Sequence, residues 1–229
     1  MLTALEKGVK GGVWFSLIDK VYSMKNLYKA FEKVKVKKGG PGVDNQTIDK
    51  FESRLEENLE KLHTELKKGT YRPQAIKRIY IPKPGNKQER RPLGIPTIRD
   101  RVVQGALVNV LGPIFEKEFA ENSFGFRPGR GAKDALREVK KLIKEGYIHV
   151  VDVDFRSYFD SIPHQELVER IEERVADGRV LELISQYLNQ EVREAEKSWT
   201  PKSGTPQGAV LSPLLSNIYL NPLDWEMAQ

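Results

Sequence analysis

The sequence predicts an α+β fold, because helical and strand-like patterns are mixed along its 229 residues without regular strand–helix alternation. Two observations carry this prediction. Apolar residues recur at three- and four-residue spacing through most of the chain, and one stretch near residue 80 alternates as a strand does. The length suffices for one large domain or for two small subdomains that each have a core.

Helices are predicted to dominate the N-terminal half. Helical spacing covers residues 14–37 and resumes from Leu55 to Leu66, and glycine-containing turns follow both stretches. Residues 98–111 form a more apolar helical pattern, which we expect to stop at Gly112-Pro113. These helices would supply the larger part of the core.

A basic β-hairpin is predicted between the second and third of these helices, over about residues 76–96. Residues 76–82 alternate in polarity, Pro84-Gly85-Asn86 supplies a turn, and residues 91–95 can form the returning strand. The pattern therefore indicates two antiparallel strands.

The C-terminal half combines helices with one predicted buried strand. An amphipathic helix with apolar residues from Ala135 to Ile143 ends at Gly146. The run from Tyr147 to Val153 is nearly continuously apolar and rich in β-branched residues, which is typical of a strand buried on both faces. Helical spacing returns after Pro163 and extends to Val192.

Positive charge is concentrated in two stretches of the chain. The net charge is +6, but residues 66–91 hold nine Lys or Arg with only Glu89 against them, and residues 20–38 hold seven Lys with only Glu32. Focused positive charge is typical of a polyanion partner, since each neutralised phosphate releases counterions. An ordinary solvated basic surface is the alternative explanation.

Several protein classes are disfavoured by composition. The chain has no cysteine, so disulfides and thiolate metal sites are excluded, and no apolar run approaches the ~20 residues that span a bilayer. The segment Met1–Lys7 lacks the layout of a secretion signal. We therefore expect a cytoplasmic protein with no membrane partner.

Carboxylates follow the predicted buried strand. On a strand Asp152 and Asp154 share one face, where they could hold a divalent cation such as Mg²⁺ for phosphoryl or nucleotidyl transfer. Structural roles are the alternatives: Asp160 could cap the helix that follows Pro163, and Asp152 could pair with a nearby Lys or Arg. A single D-x-D does not decide between these explanations.

Longer motifs resemble those of reverse transcriptases, particularly the group II intron-encoded reverse transcriptases and maturases. The resemblance runs from about residue 14 to residue 225 and includes the segment from Asp154 to His164 and a Pro-Gln-Gly turn at 206–208. It also includes three segments in the N-terminal half: Lys38–Asp44, Ile81–Arg101 and Asn122–Gly129. The fold implied is the fingers subdomain and part of the palm of a right-hand polymerase, with an antiparallel sheet packed on helices.

The resemblance implies roles for residues of a nucleotide site. Asp154 corresponds to a metal-ligating catalytic carboxylate, and the Phe155 backbone carbonyl to a further Mg²⁺ ligand. Phe159 corresponds to the residue beneath the sugar, where a ring would reject a 2′-hydroxyl. Gln207 is expected to face the incoming dNTP and its base pair.

The same resemblance implies a triphosphate clamp on the hairpin. Lys83 and Arg91 correspond to its two basic residues, and their chemistry suits phosphate oxygens. The neighbouring Arg90 could take the place of Arg91, because the turn between the two positions is slightly longer than in the family. The resemblance also implies a bacterial protein that binds the intron RNA and a template-primer and works in a ribonucleoprotein.

The sequence departs from the family in one respect. Full-length members carry an aromatic-x-Asp-Asp hairpin beyond the Pro-Gln-Gly helix, and no Asp-Asp pair occurs in these 229 residues. We therefore expect residues 1–146 to form the N-terminal extension and fingers, and 147–229 a partial palm truncated before that hairpin. Such a piece should bind Mg²⁺ weakly, should not polymerise by itself, and could form a homodimer through its bared palm edge. A non-catalytic RNA-binding maturase module, or a retron- or diversity-generating-type reverse transcriptase, remain alternatives.

Overall fold

A computed structural model describes residues 12–83 and 85–228, and these form an α+β arrangement of helices around a four-stranded sheet. The helices are α1 (Ile18–Val21), α2 (Met24–Lys37), α3 (Ile48–Glu52), α4 (Leu55–Lys68), α5 (Ile98–Phe115), α6 (Ala132–Lys144), α7 (Tyr158–Ser161), α8 (His164–Glu172), α9 (Gly178–Leu188) and α10 (Ser212–Met227). The strands are β1 (Ile76–Lys83), β2 (Asn86–Ile95), β3 (Val192–Glu194) and β4 (Lys197–Trp199). The predicted fold class is confirmed.

The core is organised around α5, which is buried over most of its surface. Helix α2 packs along it, and Phe31 and Leu107 are both fully buried. The ring of Phe31 also stacks on Phe51 of α3, with 5.5 Å between ring centroids. The apolar faces that the helical spacing predicted are therefore the faces that pack.

Two predicted helix boundaries are wrong. The pattern over residues 14–37 forms two helices, because Ser23 has extended backbone and the Asn26 side chain donates to the carbonyl oxygens of Lys20 and Val21. Helix α5 continues past Gly112-Pro113 to Phe115. Proline removes one backbone hydrogen bond there, and burial of the apolar residues in this last turn offsets the loss.

The sheet has the order β2-β1-β3-β4 and is mixed. Strands β1 and β2 form the predicted basic hairpin, and β3 and β4 form a second, short antiparallel pair. The two pairs are joined by parallel pairing of β1 with β3, at Ile76 and Val192, where the resemblance implied an antiparallel sheet. Val192 was predicted to extend a helix, but α9 ends at Leu188 and Val192 begins β3.

The carboxylate of Asp177 caps two helices from different parts of the chain. One of its oxygens accepts hydrogen bonds from the N–H groups of Leu17 (2.7 Å) and Ile18 (2.8 Å) at the start of α1. The other accepts from Arg179 (3.1 Å) and Val180 (3.2 Å) at the start of α9. Burial alone would raise the pKa of Asp177, but these four backbone hydrogen bonds bring it below its usual value.

The predicted buried strand from Tyr147 to Val153 does not form. These residues have no regular secondary structure and are exposed, with 81% of Val150 and 86% of Val151 accessible to solvent. A strand that is apolar on both faces needs neighbouring strands and a cover, and no strand among the described residues pairs with this segment. The segment is apolar, as its sequence shows, but the prediction that it is buried is wrong.

Helix α6 forms as predicted and leaves its apolar face exposed as well. None of its residues is buried, and Leu136 and Ile143 expose more than half of their surface. Helix α6 and residues 147–155 follow one another in the chain and both expose apolar side chains, and together they are called here the α6 surface. Among the described residues, no helix is long and apolar enough to cross a membrane.

Candidate functional site

Three of the segments that resemble polymerase motifs meet through backbone hydrogen bonds. The N–H of Thr205 donates to the Phe159 carbonyl oxygen at 2.6 Å. The N–H of Gly94 on β2 donates to the Gln207 carbonyl oxygen, also at 2.6 Å. The Pro-Gln-Gly loop is thus held between α7, the one-turn helix that carries Phe159, and β2, the outer strand of the hairpin.

Glycine is required at two positions of this junction. Gly204 has φ of +87°, and a Cβ there would lie 2.7 Å from the Asp160 Cα. Gly208 has φ of +102°, and a Cβ there would lie 2.5 Å from the Gly94 carbonyl oxygen. Both positions combine a left-handed backbone with a close approach of another segment, so a side chain at either would separate the segments.

Phe159 is half-buried and lies in an aromatic cluster. Its ring meets the ring of Phe126 edge-on at 6.4 Å between centroids and that of Tyr158 at 5.8 Å. The loop that carries Phe126 is held to α10, where Asn217 donates to the Gly125 carbonyl oxygen at 2.8 Å. The position of Phe159 is therefore fixed from two sides.

Tyr158, the first residue of α7, links this short helix to α10. Its hydroxyl donates to the Ser216 carbonyl oxygen at 2.8 Å, and burial raises the pKa of Tyr158 to about 12. The hydroxyl therefore stays protonated as a donor at all physiological pH values. This bond, together with that of Thr205, fixes the turn on both flanks.

Asp152 and Asp154 lie in the exposed segment 147–155 and not at the end of a buried strand. Within residues 12–83 and 85–228 no three carboxylate or imidazole groups come close enough to hold a metal ion. Mg²⁺ takes about six oxygen ligands in near-octahedral geometry. Asp154 and the Phe155 carbonyl are too few for that geometry, so the described residues do not make a magnesium site by themselves.

The structural alternatives for the other carboxylates are wrong. Asp160 does not cap α8, whose N-cap is Pro163, and its side chain is exposed beside the Pro-Gln-Gly loop. Asp152 makes no ion pair with a described Lys or Arg. Within the described residues, neither the proposed cap nor the proposed ion pair therefore explains these carboxylates.

The two adjacent arginines of the hairpin face opposite sides. Arg91 pairs across the strands with Ile81, and Arg90 with Pro82, so alternation directs their side chains to different faces. Leu93 shares the face of Arg91, and Gly208 lies against Leu93. Both arginines are exposed. The predicted partner Lys83 lies in β1, but its side chain is outside the described part of the structure.

Arg127, in the Asn122–Gly129 motif, braces the structure. It is 6% exposed and donates to the carbonyl oxygens of Ala120 (2.6 Å) and Ser123 (2.8 Å) and to the Glu116 carboxylate. Arg101 has a similar function, since its guanidinium donates to Pro96 and Gly40 and so joins the hairpin to the 38–44 turn. These motif residues position the site without facing it.

A row of lysines marks one face of α2. Lys25, Lys29, Lys33 and Lys37 recur every fourth residue and therefore share that face. Burial and the neighbouring charges of Lys29 and Lys37 lower the pKa of Lys33. Lys35 lies off this row and pairs with Glu52, which raises the pKa of Lys35. The row, called here the lysine face, is electropositive.

The hairpin, the Pro-Gln-Gly loop and the segment from Asp154 to Asp160 lie together as in a right-hand polymerase, and this arrangement defines the class of this protein. The model of the reverse transcriptase (RNA-dependent DNA polymerase) family matches residues 81–229. The chain belongs to this family.

Relatives are group II intron-encoded proteins, among others. The chain is 39% identical to Protein YkfC of Escherichia coli over 188 residues, covering 80% of this chain and 49% of that protein. It is 39% identical to the group II intron-encoded protein LtrA of Lactococcus lactis over 199 residues, covering 86% of this chain and 32% of LtrA. The chain therefore spans half or less of the length of these relatives.

Solved structures support the fold. The reverse transcriptase-containing chain of a partial Cas6-RT-Cas1–Cas2 complex superposes with a TM-score of 0.61 at 22% sequence identity, over 93% of this chain and 35% of that chain. At this identity the likeness concerns the fold alone.

Proposed function

We propose that this chain is the fingers and part of the palm of an RNA-directed DNA polymerase that binds structured intron RNA and assists its splicing. The backbone junction of α7, the Gln207 loop and β2 supports this proposal, because it brings together three segments that resemble those of a polymerase nucleotide site. Residues 1–146 would form the extension and fingers, and 147–229 the palm portion. The intron-encoded relatives support the choice of intron RNA over other RNA partners.

In this proposal the nucleotide site is lined by the hairpin and the junction. Arg91 clamps the triphosphate together with Lys83, because Arg91 shares the hairpin face on which Gly208 lies, whereas Arg90 faces away. Gln207 contacts the base pair and Phe159 excludes the 2′-hydroxyl. Photo-crosslinking of a dNTP analogue should fall about 10-fold or more in Arg91→Ala, since a charge-assisted hydrogen bond contributes about 1.5–3 kcal/mol. Arg90→Ala is the matched control, and an equal loss there would reverse the assignment.

The 229-residue chain is proposed not to polymerise by itself. Asp154 and the Phe155 carbonyl would serve a divalent metal only together with further carboxylates, and the described residues supply no such cluster. Primer extension with an RNA template, dNTPs and Mg²⁺ is expected to give no product above background. Clear cDNA synthesis, lost in Asp154→Asn, would contradict this proposal and would show that the chain assembles a complete site.

RNA binding is proposed to use the lysine face of α2. Such contacts release counterions, so log affinity for RNA should fall linearly with log salt concentration. Lys29→Gln should reduce the slope by about 0.7–0.9, the contribution of one phosphate. Lys35→Gln on the same helix is the control, because Lys35 is paired with Glu52 and lies off the face. A slope unchanged by Lys29→Gln would remove this face from the RNA contact surface.

The α6 surface is proposed to mediate self-association. Residues 148–153 have no regular backbone pairing among the described residues and carry exposed β-branched side chains, which favours strand addition. Antiparallel pairing of two copies about Val150 would set Ile148 opposite Asp152 and Tyr147 opposite Val153, so no like charges would face each other. A dimer of this kind satisfies the backbone of both copies at once.

A further inference from the structure

A cleft of about 370 Å³ lies on the side of the hairpin away from Arg91, between β1, β4 and the loop that contains Gln207. Gln207 itself lines the cleft, which therefore adjoins the proposed nucleotide site. Its walls include Ile76, Arg78, Pro92, Trp199 and Thr205. The volume is within the range of about 300–1,000 Å³ that is usual for ligand pockets. We call it the Trp199 cleft.

The cleft has flat walls that are held in place. Trp199 is half-buried, and the Arg78 guanidinium carbon lies 5.3 Å from the centroid of the Trp199 ring. Arg78 is also 5.6 Å from the Tyr80 ring centroid and forms an ion pair with Glu194 at 3.6 Å. An indole and a guanidinium fixed in this way are the surfaces on which planar heteroaromatic rings stack.

An unused hydrogen-bonding group lines the same cleft. Thr205 is 1% exposed, and its Oγ1 has no hydrogen-bond partner within the described residues. A buried polar group without a partner costs about 1–3 kcal/mol, so a ligand that offers a donor or an acceptor would recover this loss. At the rim, Lys202 supplies positive charge.

We propose that the Trp199 cleft holds one unstacked nucleobase of a single RNA strand that passes along the hairpin. Stacking walls, one hydroxyl and a basic rim match a base joined to a phosphate backbone. A free nucleotide could supply the same base. The strand is favoured because alternation directs Pro92 and Gly94 into the cleft and the clamp residue Arg91 to the opposite face of the hairpin. A free nucleotide in the cleft would have its triphosphate on the side of the hairpin away from Arg91. This inference rests on the proposed RNA-binding function.

The test compares two RNAs on the full 229-residue chain. Both are eight-nucleotide strands of abasic residues, and one carries a single adenine at its centre. The adenine strand should bind about 5- to 150-fold more tightly, since stacking contributes about 1–3 kcal/mol per base. With 5-fluorotryptophan incorporated at the three tryptophans, the ¹⁹F signal that Trp199→Phe removes should be the one that shifts.

Variants separate the cleft from the rest of the protein. Trp199→Ala should abolish the preference for the adenine strand and leave binding of the abasic strand unchanged. Trp225→Ala is the control, because Trp225 is a tryptophan with an exposed ring that lies outside the cleft. Thr205→Val, which keeps the side-chain shape, should reduce the preference about 2- to 10-fold and serves if Trp199→Ala does not fold.

Three outcomes would overturn the proposal. Equal, salt-dependent affinity for the two strands would reject the cleft and leave RNA binding intact. Competition by dATP for the Trp199 signal would assign the cleft to a free nucleotide instead of a strand. Failure of both strands to bind would reject the RNA-binding function itself, and the base pocket with it.

Discussion

The core around α5 and the α6 surface have comparable amphipathic patterns but lie in opposite environments. Residues such as Phe31 and Leu107 are fully buried, whereas Leu136 on α6 is 67% exposed and Val151 is 86% exposed. Hydrophobic spacing specifies which face of an element is apolar, but it does not specify what covers that face. The two regions should therefore respond differently to the same kind of substitution.

The largest expected difference is in stability. Phe31→Ala should lower the free energy of unfolding by about 3–5 kcal/mol, because it leaves a cavity between α2, α3 and α5. Ile148→Ala, in the exposed segment, should change it by less than about 0.5 kcal/mol. Urea denaturation followed by circular dichroism measures both. A large effect of Ile148→Ala would show that the α6 surface is covered in solution.

Asp177→Asn should give an intermediate, pH-dependent effect. The depressed pKa of Asp177 in the folded state means that its ionised form stabilises the fold above the unfolded pKa of about 3.9, and that this contribution is lost as pH falls through the folded pKa. The substitution should therefore cost about 1–2 kcal/mol at pH 7, and the difference from wild type should shrink below about pH 4. A cost independent of pH would mean that the amide fails for steric reasons.

The smallest effect on stability should accompany a large effect on association. Val150→Pro removes a backbone donor at the centre of the proposed dimer, and the folded monomer should tolerate it because Val150 is unpaired and 81% exposed. Sedimentation velocity should show a monomer for Val150→Pro, and Val150→Ala should retain part of the dimer. If the wild-type chain stays monomeric at all concentrations, the proposed dimer through the α6 surface is wrong.

The sequence was sufficient for features that depend on neighbouring residues. The hairpin of β1 and β2, the end of α4 at Gly69 and the face of α6 were predicted from spacing and turn residues. The strand at Tyr147–Val153 was predicted wrongly, because strand formation depends on a partner that is distant in sequence. The extension of α5 beyond Pro113 was missed because burial of its last turn outweighs one lost hydrogen bond.

The candidate site also has parts that the sequence identifies and a part that depends on contacts between distant segments. Resemblance identified the segments of Phe159, Gln207 and Arg91, and the structure joins their backbones, while the roles of the side chains stay predictions. The Trp199 cleft was missed, because it forms only when β1, β4 and the Thr205 loop come together. A solitary tryptophan just before the Pro-Gln-Gly turn was the one signal in the sequence that could have drawn attention to it.

The double cap at Asp177 also constrains the order in which the protein can fold during synthesis. Helix α1 leaves the ribosome before α9, and the carboxylate that satisfies its first N–H groups follows Leu17 by 160 residues. Four-residue helices are not stable alone. Helix α1 must therefore wait until Asp177 has been translated, and its docking would be a late event in folding.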